Sequence, residues 1–163
     1  MDTGILQTSI LLFTLPISNI HHLISDIQYL TSMSEFSTII NKVREFHEVF
    51  GLDHHEEPLT DISDRIIELR HRLMAEENDE YLEAAKEGNL TLVADALGDK
   101  LYILCGTIIA HGLQHKIVEV FEEIHRSNMS KLDENGKPIY REDGKIMKSE
   151  RYFRPDIKSV LDK

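Results

Sequence analysis

The chain has 163 residues, 41% of them hydrophobic, with no Trp, four Pro and eight Gly. That is the length of one domain with an ordinary core, and so little Pro, Gly and Trp excludes a loop-rich all-β architecture. A formal net charge of −11 excludes a general nucleic-acid or anionic-membrane binder, because phosphate surfaces attract basic ones, but it leaves local basic patches and bound cations open.

The first apolar run, Ile5 to Ile17 (ILQTSILLFTLPI), falls short of the about 20 residues a membrane span needs. The MDTG before it carries Asp2 and no Lys or Arg, so it lacks the basic start of a signal peptide. Residues 1–32 are therefore expected to be an extension, either a translated upstream segment or a peripheral appendage. The folded domain is expected to cover 33–163, opening at Met33. Phe36, Ile40, Val43, Phe46 and Phe50 form an apolar helical stripe, with Ser34 able to cap its start and Gly51 its end. GLDHHEEPLTD follows as a loop.

A second helix starts near Asp61 or Ser63. Its inward line is Ile62, Ile66, Leu69 and Leu73, and the same spacing carries on to Glu76 or Glu77, then Glu80, then Ala84. Of the basic residues leading in, Arg65, Arg70 and Arg72, none is read as part of that line. Gly88 ends the helix and Asn89 or Thr91 caps the next. The third helix, about Leu90 to His111, is apolar nearly all round, as buried helices are. Asp95 and Asp99 lie one turn apart on one side of it. Gly98 between them weakens the helix by about 1 kcal/mol against Ala, so close approach of another backbone is expected there. Cys105, the single cysteine, cannot form an intramolecular disulfide. It reads as a small core hydrophobe, and a reducing, cytoplasmic setting fits.

The fourth helix runs from about Gln114 to Ser127, with Ile117, Phe121 and Ile124 inward. After it, Asn135-Gly136 and Asp143-Gly144 are turn signals around a short β-prone piece, and Pro155 precedes a last helical turn. The predicted fold is all-α: a four-helix core with an irregular or hairpin-bearing C-terminal segment.

Carboxylates on a core-facing line need an explanation. A buried unpaired carboxylate costs several kcal/mol, and neighbours of like charge add to that. Basic partners or metal ions relieve it; with no Arg read on the line, metal is the better answer. An all-oxygen set suits Mg2+ or Mn2+. Acidic runs are more often solvated helix faces, and from the spacing alone Glu76, Asp79, Glu83 and Glu87 are read that way. That explanation weakens for Glu77 and Glu80, which extend the apolar stripe, and is weakest for Asp99, inside an apolar helix.

EENDE followed by ALGDKLY resembles the metal-binding signature of the all-α nucleoside triphosphate pyrophosphohydrolases, the superfamily of MazG proteins, dimeric dUTPases and phosphoribosyl-ATP pyrophosphohydrolases. Its pattern is E-x-x-D on one helix after E-E-x-x-E on the helix before. Glu76, Glu77 and Glu80 match the first half and Asp99 the final Asp. VREFHEVFG resembles the first helix of the MazG-like dUTP-hydrolysing branch; FEEIHRSNMSK, DGKIMK and the Tyr152–Pro155 Y-x-x-P resemble its C-terminal signature. The resemblance runs from about Ser34 to Leu161. One position departs from it: the Glu three residues before Asp99 is Ala96 here. Asp95, one further back, adjoins the same face and is the expected substitute.

The resemblance implies hydrolysis of a nucleoside triphosphate to the monophosphate and pyrophosphate. Mg2+, with Mn2+ as the other option, is held by Glu76, Glu77, Glu80, Asp99 and Asp95. Glu77 or Glu80 activates water, which needs no covalent intermediate. No Asp-x-Asp aspartyl-phosphate motif and no G-x-x-x-x-G-K-[ST] loop is present. In the basic segment after the fourth helix, the resemblance favours Asn128 and Lys131 as substrate contacts, with Lys145 and Lys148 behind them; a solvated tail is the plain alternative. It also implies nucleotide-pool house-cleaning with dUTP or dCTP as leading substrates, and a homodimer or higher homo-oligomer. The apolar faces of the first, third and fourth helices point to an oligomer as well, since one small bundle cannot cover them. Two other readings stand beside this one. Glu68/His71 and Glu122/His125 are both Glu-x-x-His, the di-iron pattern of helical bundles, although His71 lies opposite the Leu69–Leu73 stripe. A non-enzymatic helical scaffold leaves the carboxylates on a core line unexplained.

Overall fold

A computed structural model describes residues 35–163, so the expectation for residues 1–32 lies outside the described residues. The chain divides into two units, Met1–Ile39 and Ile40–Lys163, and the packing below is that of the second. Five helices lie among the described residues: α1 (35–50), α2 (Asp64–Glu87), α3 (Leu90–Ala110), α4 (Ile117–Met129) and α5 (Ile157–Leu161). The all-α expectation holds. No described helix is long and apolar enough to cross a membrane.

Helices α2 and α3 form an antiparallel hairpin over a two-residue connection. Gly88 ends α2 in the left-handed region at φ 69°, which glycine alone adopts without penalty. The Asn89 side chain then accepts from the Leu92 amide at 3.3 Å to open α3. At the other end of α3 the loop after α1 folds over the helix terminus. The His55 amide donates to the Ile109 carbonyl and the Leu59 amide to the His111 carbonyl, so groups orphaned by the end of α3 find partners. A side chain at Gly112 would put its Cβ 2.0 Å from the Glu57 carbonyl oxygen.

The core gathers at this end. Ile40, Val43, Ile62, Ile66, Cys105, Ile108, Ile109 and Val160 are buried. Each full burial of an aliphatic side chain contributes about 1.5–3 kcal/mol.

Three details differ from the sequence reading. The inward line of α1 is Ile40, Val43 and His47, whereas Phe46 and Phe50 are exposed. They stack on each other at 4.3 Å, and Phe46 meets Tyr102 edge-on at 5.7 Å. The close approach expected at Gly98 is absent, with nothing within 4 Å of a Cβ there; Gly106 is the crowded glycine. Nor is α3 buried throughout. Leu90, Leu97, Leu101 and Leu104 are exposed and recur with Ala94 at spacings of four and three, the seam of a helix that packs on another helix.

After α4 the chain stays ordered by hydroxyl bonds. The Ser127 hydroxyl donates to the Phe153 carbonyl, and the Ser149 hydroxyl to the Leu132 and Ser130 carbonyls. Between them Tyr140 and Ile146 form an antiparallel bridge closed by the Asp143-Gly144 turn, with Gly144 at φ 81°. This is the expected hairpin, reduced to a single bridge.

Candidate functional site

The five predicted carboxylates come together across the α2–α3 hairpin. Burial is the largest influence lifting the Glu77 carboxyl above the usual carboxylate range, followed by the charges of Glu80, Asp99, Glu76 and Asp95. The four charges that act on it are all negative. Glu77 Oε2 is buried with no hydrogen-bond partner, although Glu76, Glu80, Asp95 and Asp99 are exposed. At the edge of the cluster, Lys100 Nζ donates to Asn78 Oδ1 at 2.5 Å, joining α3 to α2 through a neutral amide. Arg72 pairs loosely with Glu76 at 3.8 Å on the surface.

A buried, unpartnered carboxylate oxygen among like charges is costly, and either a proton or a bound cation relieves it. The donor set is all oxygen, which fits a hard divalent ion such as Mg2+. Among the described residues no three His, Cys, Asp or Glu side chains already stand in ligating positions. The carboxylates are within charge reach of one another but not closed into a shell. Ala96, where the resemblance expects Glu, is buried, while Asp95 is exposed and still acts on Glu77.

A second polar group lies in the same hairpin, and the sequence reading missed it. Arg70 does continue the α2 line, four residues after Ile66 and three before Leu73, and is only 7% exposed. Its Nη2 lies 3.3 Å from His47 Nε2, while His47 Nδ1 lies 2.9 Å from the Asp53 carbonyl oxygen. A Cβ at Gly106 would stand 2.9 Å from both Arg70 Nη1 and His47 Nε2. The antiparallel register that sets Arg70 against Gly106 sets Glu77 against Asp99, seven residues along each helix.

The predicted basic residues divide. Lys131 Nζ donates to Asn128 Oδ1 at 2.6 Å, and Lys148 Nζ sits 4.2 Å from the centre of the Tyr152 ring. Burial alone would raise the Tyr152 phenol. Hydrogen bonds with Ser127 and Lys148 and the charges of Lys148 and Lys131 outweigh it and bring the phenol below its usual value. Asn128, Lys131 and Lys148 thus gather around Tyr152 at the end of α4, on chain held by the serine hydroxyls rather than in a loose tail. Lys145 stands apart in the Asp143-Gly144 turn, where its amide donates to Asp143 Oδ1. Tyr152 was legible only as part of Y-x-x-P, with no role.

Glu68, His71, Glu122 and His125 of the Glu-x-x-His alternative are all exposed, and among the described residues they form no group placed to hold a metal. An open cleft of about 720 Å³ between Pro58, Leu59, His111 and Leu161 is mostly apolar and contains none of the carboxylates or lysines above.

Residues 43–128 match the sequence profile of the phosphoribosyl-ATP pyrophosphohydrolase family, just over half of the chain. The matched stretch contains His47, Arg70 and all five carboxylates, and it ends at Asn128. An uncharacterized protein of Acanthamoeba polyphaga mimivirus is 27% identical over 136 residues, which are 80% of this chain and 50% of that protein. The chain thus spans about half the length of the curated relative it matches.

Proposed function

We propose a function on the premise that the sequence match gives: the chain belongs to the phosphoribosyl-ATP pyrophosphohydrolase family. The protein hydrolyses the bond between the α- and β-phosphates of a nucleoside triphosphate, releasing the monophosphate and pyrophosphate. The observation that carries this reading is Glu77 Oε2, buried and unpartnered among four further carboxylates. Glu76, Glu77, Glu80 and Asp99 hold Mg2+, with Asp95 in the place the family gives to Glu. When bound, Mg2+ neutralises phosphate charge and makes a bound water more acidic.

The chain's own groups do the rest. Glu77 or Glu80 orients the attacking water and accepts its proton. Lys131 and Lys148 meet phosphate oxygens as point charges, Asn128 offers its amide to the sugar or base, and Lys145 reaches in from its turn. Because the C-terminal segment resembles the dUTP-hydrolysing branch, dUTP and dCTP are the leading substrates and nucleotide-pool house-cleaning in the cytoplasm is the expected role. The exposed Leu90–Leu97–Leu101–Leu104 seam is covered by a second copy of the chain, making a homodimer or a larger homo-oligomer.

The test is pyrophosphate release from a panel of the common nucleoside triphosphates, dUTP and phosphoribosyl-ATP, with and without Mg2+. Mg2+-dependent release from dUTP or dCTP is expected. Release from none of the panel sinks the proposal. Light scattering on Leu97→Glu tests the seam: the wild type should give the mass of an oligomer and the variant that of a smaller species, and equal masses would overturn the seam.

A further inference from the structure

We propose that His47 and Arg70 form a proton-sensitive latch joining α1, α2 and α3, closed while the imidazole carries one proton and released when it takes a second. The geometry assigns the tautomer. The Asp53 carbonyl can only accept, so Nδ1 carries the proton and donates at 2.9 Å. Nε2 is then bare and accepts from Arg70 Nη2 at 3.3 Å. Arg70 can only donate and stays charged. A second proton on the imidazole would point an N–H at a guanidinium, like charge against like, where His47 is 2% exposed.

Of the elements packed against the pair, only the turn after α1 offers relief, through the charge of Asp53. From α2 comes Arg70 itself, whose Nε is already buried without a partner. From α3 comes Gly106, whose missing side chain leaves only enough space for the two groups. The turn after α1 presents Asp53, whose charge favours the second proton, and His54, whose charge opposes it. On α1, Arg44 is engaged with Glu48 and Glu56. The imidazole can take the proton only by leaving Arg70, and the turn over the end of α3 then loses the ring's bond to the Asp53 carbonyl while keeping its own backbone bonds to Ile109 and His111.

The sign follows. Burial, the first cause, holds His47 below its ordinary 6.5, and the Asp53 hydrogen bond does not restore it. The latch stays closed down to the lowered folded value, while its contribution to stability, full above the unfolded value of about 6.5, is lost as pH falls from there towards the folded value. In that window the unfolded chain binds the extra proton, so the folding constant drops by up to about tenfold per pH unit. This holds whether or not the protein is a pyrophosphohydrolase.

Two measurements on the full chain test it. Long-range proton–nitrogen spectra of the imidazoles, with His47 assigned through the wild-type backbone, should show Nδ1 protonated and Nε2 bare at pH 7, and the same tautomer persisting well below pH 6.5. An Nε2-protonated ring, or ordinary titration near 6.5, overturns the latch. Urea midpoints of wild type and His47→Gln between pH 7 and 5 should diverge, the wild type losing stability faster; parallel curves overturn it. If His47→Gln does not fold, the spectra decide alone.

Discussion

Two polar groups lie in one helical hairpin, two turns apart, and are treated in opposite ways. Arg70 and His47 are closed in by Gly106 and bond to each other and to the backbone of a turn. Glu77 is also partly withdrawn from water, yet its Oε2 has no partner and its neighbours repel it. Position in the register cannot be the cause, because Arg70–Gly106 and Glu77–Asp99 are equivalent pairs of the same antiparallel arrangement. The difference is where the compensating group comes from. The upper pair finds part of it within the chain, in the His47 ring and the favourable charge of Asp53, although Arg70 Nε is left without a partner. The lower cluster has none among the charges that act on Glu77, and the proposed function supplies it as a bound cation.

The largest break in this comparison comes from removing charge at the lower cluster. Glu80→Gln and Asp99→Asn should each lower pyrophosphate release by about a hundredfold or more, the scale of losing one aimed electrostatic group. The helical circular-dichroism signal should persist, and near-wild-type rates in both would sink the assignment. Next in size is the upper pair. Gly106→Ala drives a methyl against two side-chain ends. Overpacking of about 1–3 kcal/mol is partly offset by the about 1 kcal/mol that Ala gains over Gly in a helix. A net loss of about 1 kcal/mol in urea titration is expected, and a gain would show the pair to be loosely packed.

Glu77→Gln sharpens the contrast by acting oppositely on folding and on rate. Because the folded carboxyl holds its proton more tightly than the unfolded one, its burden is felt as pH rises through the folded value and vanishes at acid pH. In chelator, the variant should therefore be more stable than wild type at pH 7 and equal to it near pH 4. The gain should be below about 1 kcal/mol, since water screens part-exposed carboxylates. A loss of stability at pH 7 would mean that Glu77 has a partner. Asp95→Ala is the mildest change. It should raise the Mg2+ concentration needed for half-maximal rate while harming the rate less than Asp99→Asn. Adding Ala96→Glu should recover part of the loss, and a Mg2+ titration like the wild type's would make Asp95 a bystander.

Much of this was readable beforehand, for identifiable reasons. Gly88 and Gly51 mark helix ends because few other residues tolerate the left-handed backbone there, and Asn89 because its side chain caps the Leu92 amide. The carboxylates stood out because they broke a periodic apolar line. Arg70 broke the same line and was passed over: a long side chain was assumed to reach solvent, and nothing local announces the histidine 23 residues earlier that receives it. Phe46 and Phe50 were placed inward on hydrophobicity alone, but the space there goes to a polar ring that only the three-helix packing reveals. Gly98 and Gly106 look alike in sequence; which one is crowded depends on what lies across the hairpin. The gathering of Asn128, Lys131 and Lys148 around Tyr152 depends on serine bonds spanning up to 26 residues, beyond the reach of any spacing rule.

The two-residue link at Gly88-Asn89 also bears on the order of folding. All five carboxylates lie on the two helices it joins, so their meeting closes almost no loop and depends on the least entropically demanding contacts in the chain. The hairpin is expected to form early, bringing its negative charges together before the turn over α3 or the serine-bonded segment has closed. A divalent cation that binds there as proposed would then speed refolding too, by relieving the repulsion as the hairpin closes.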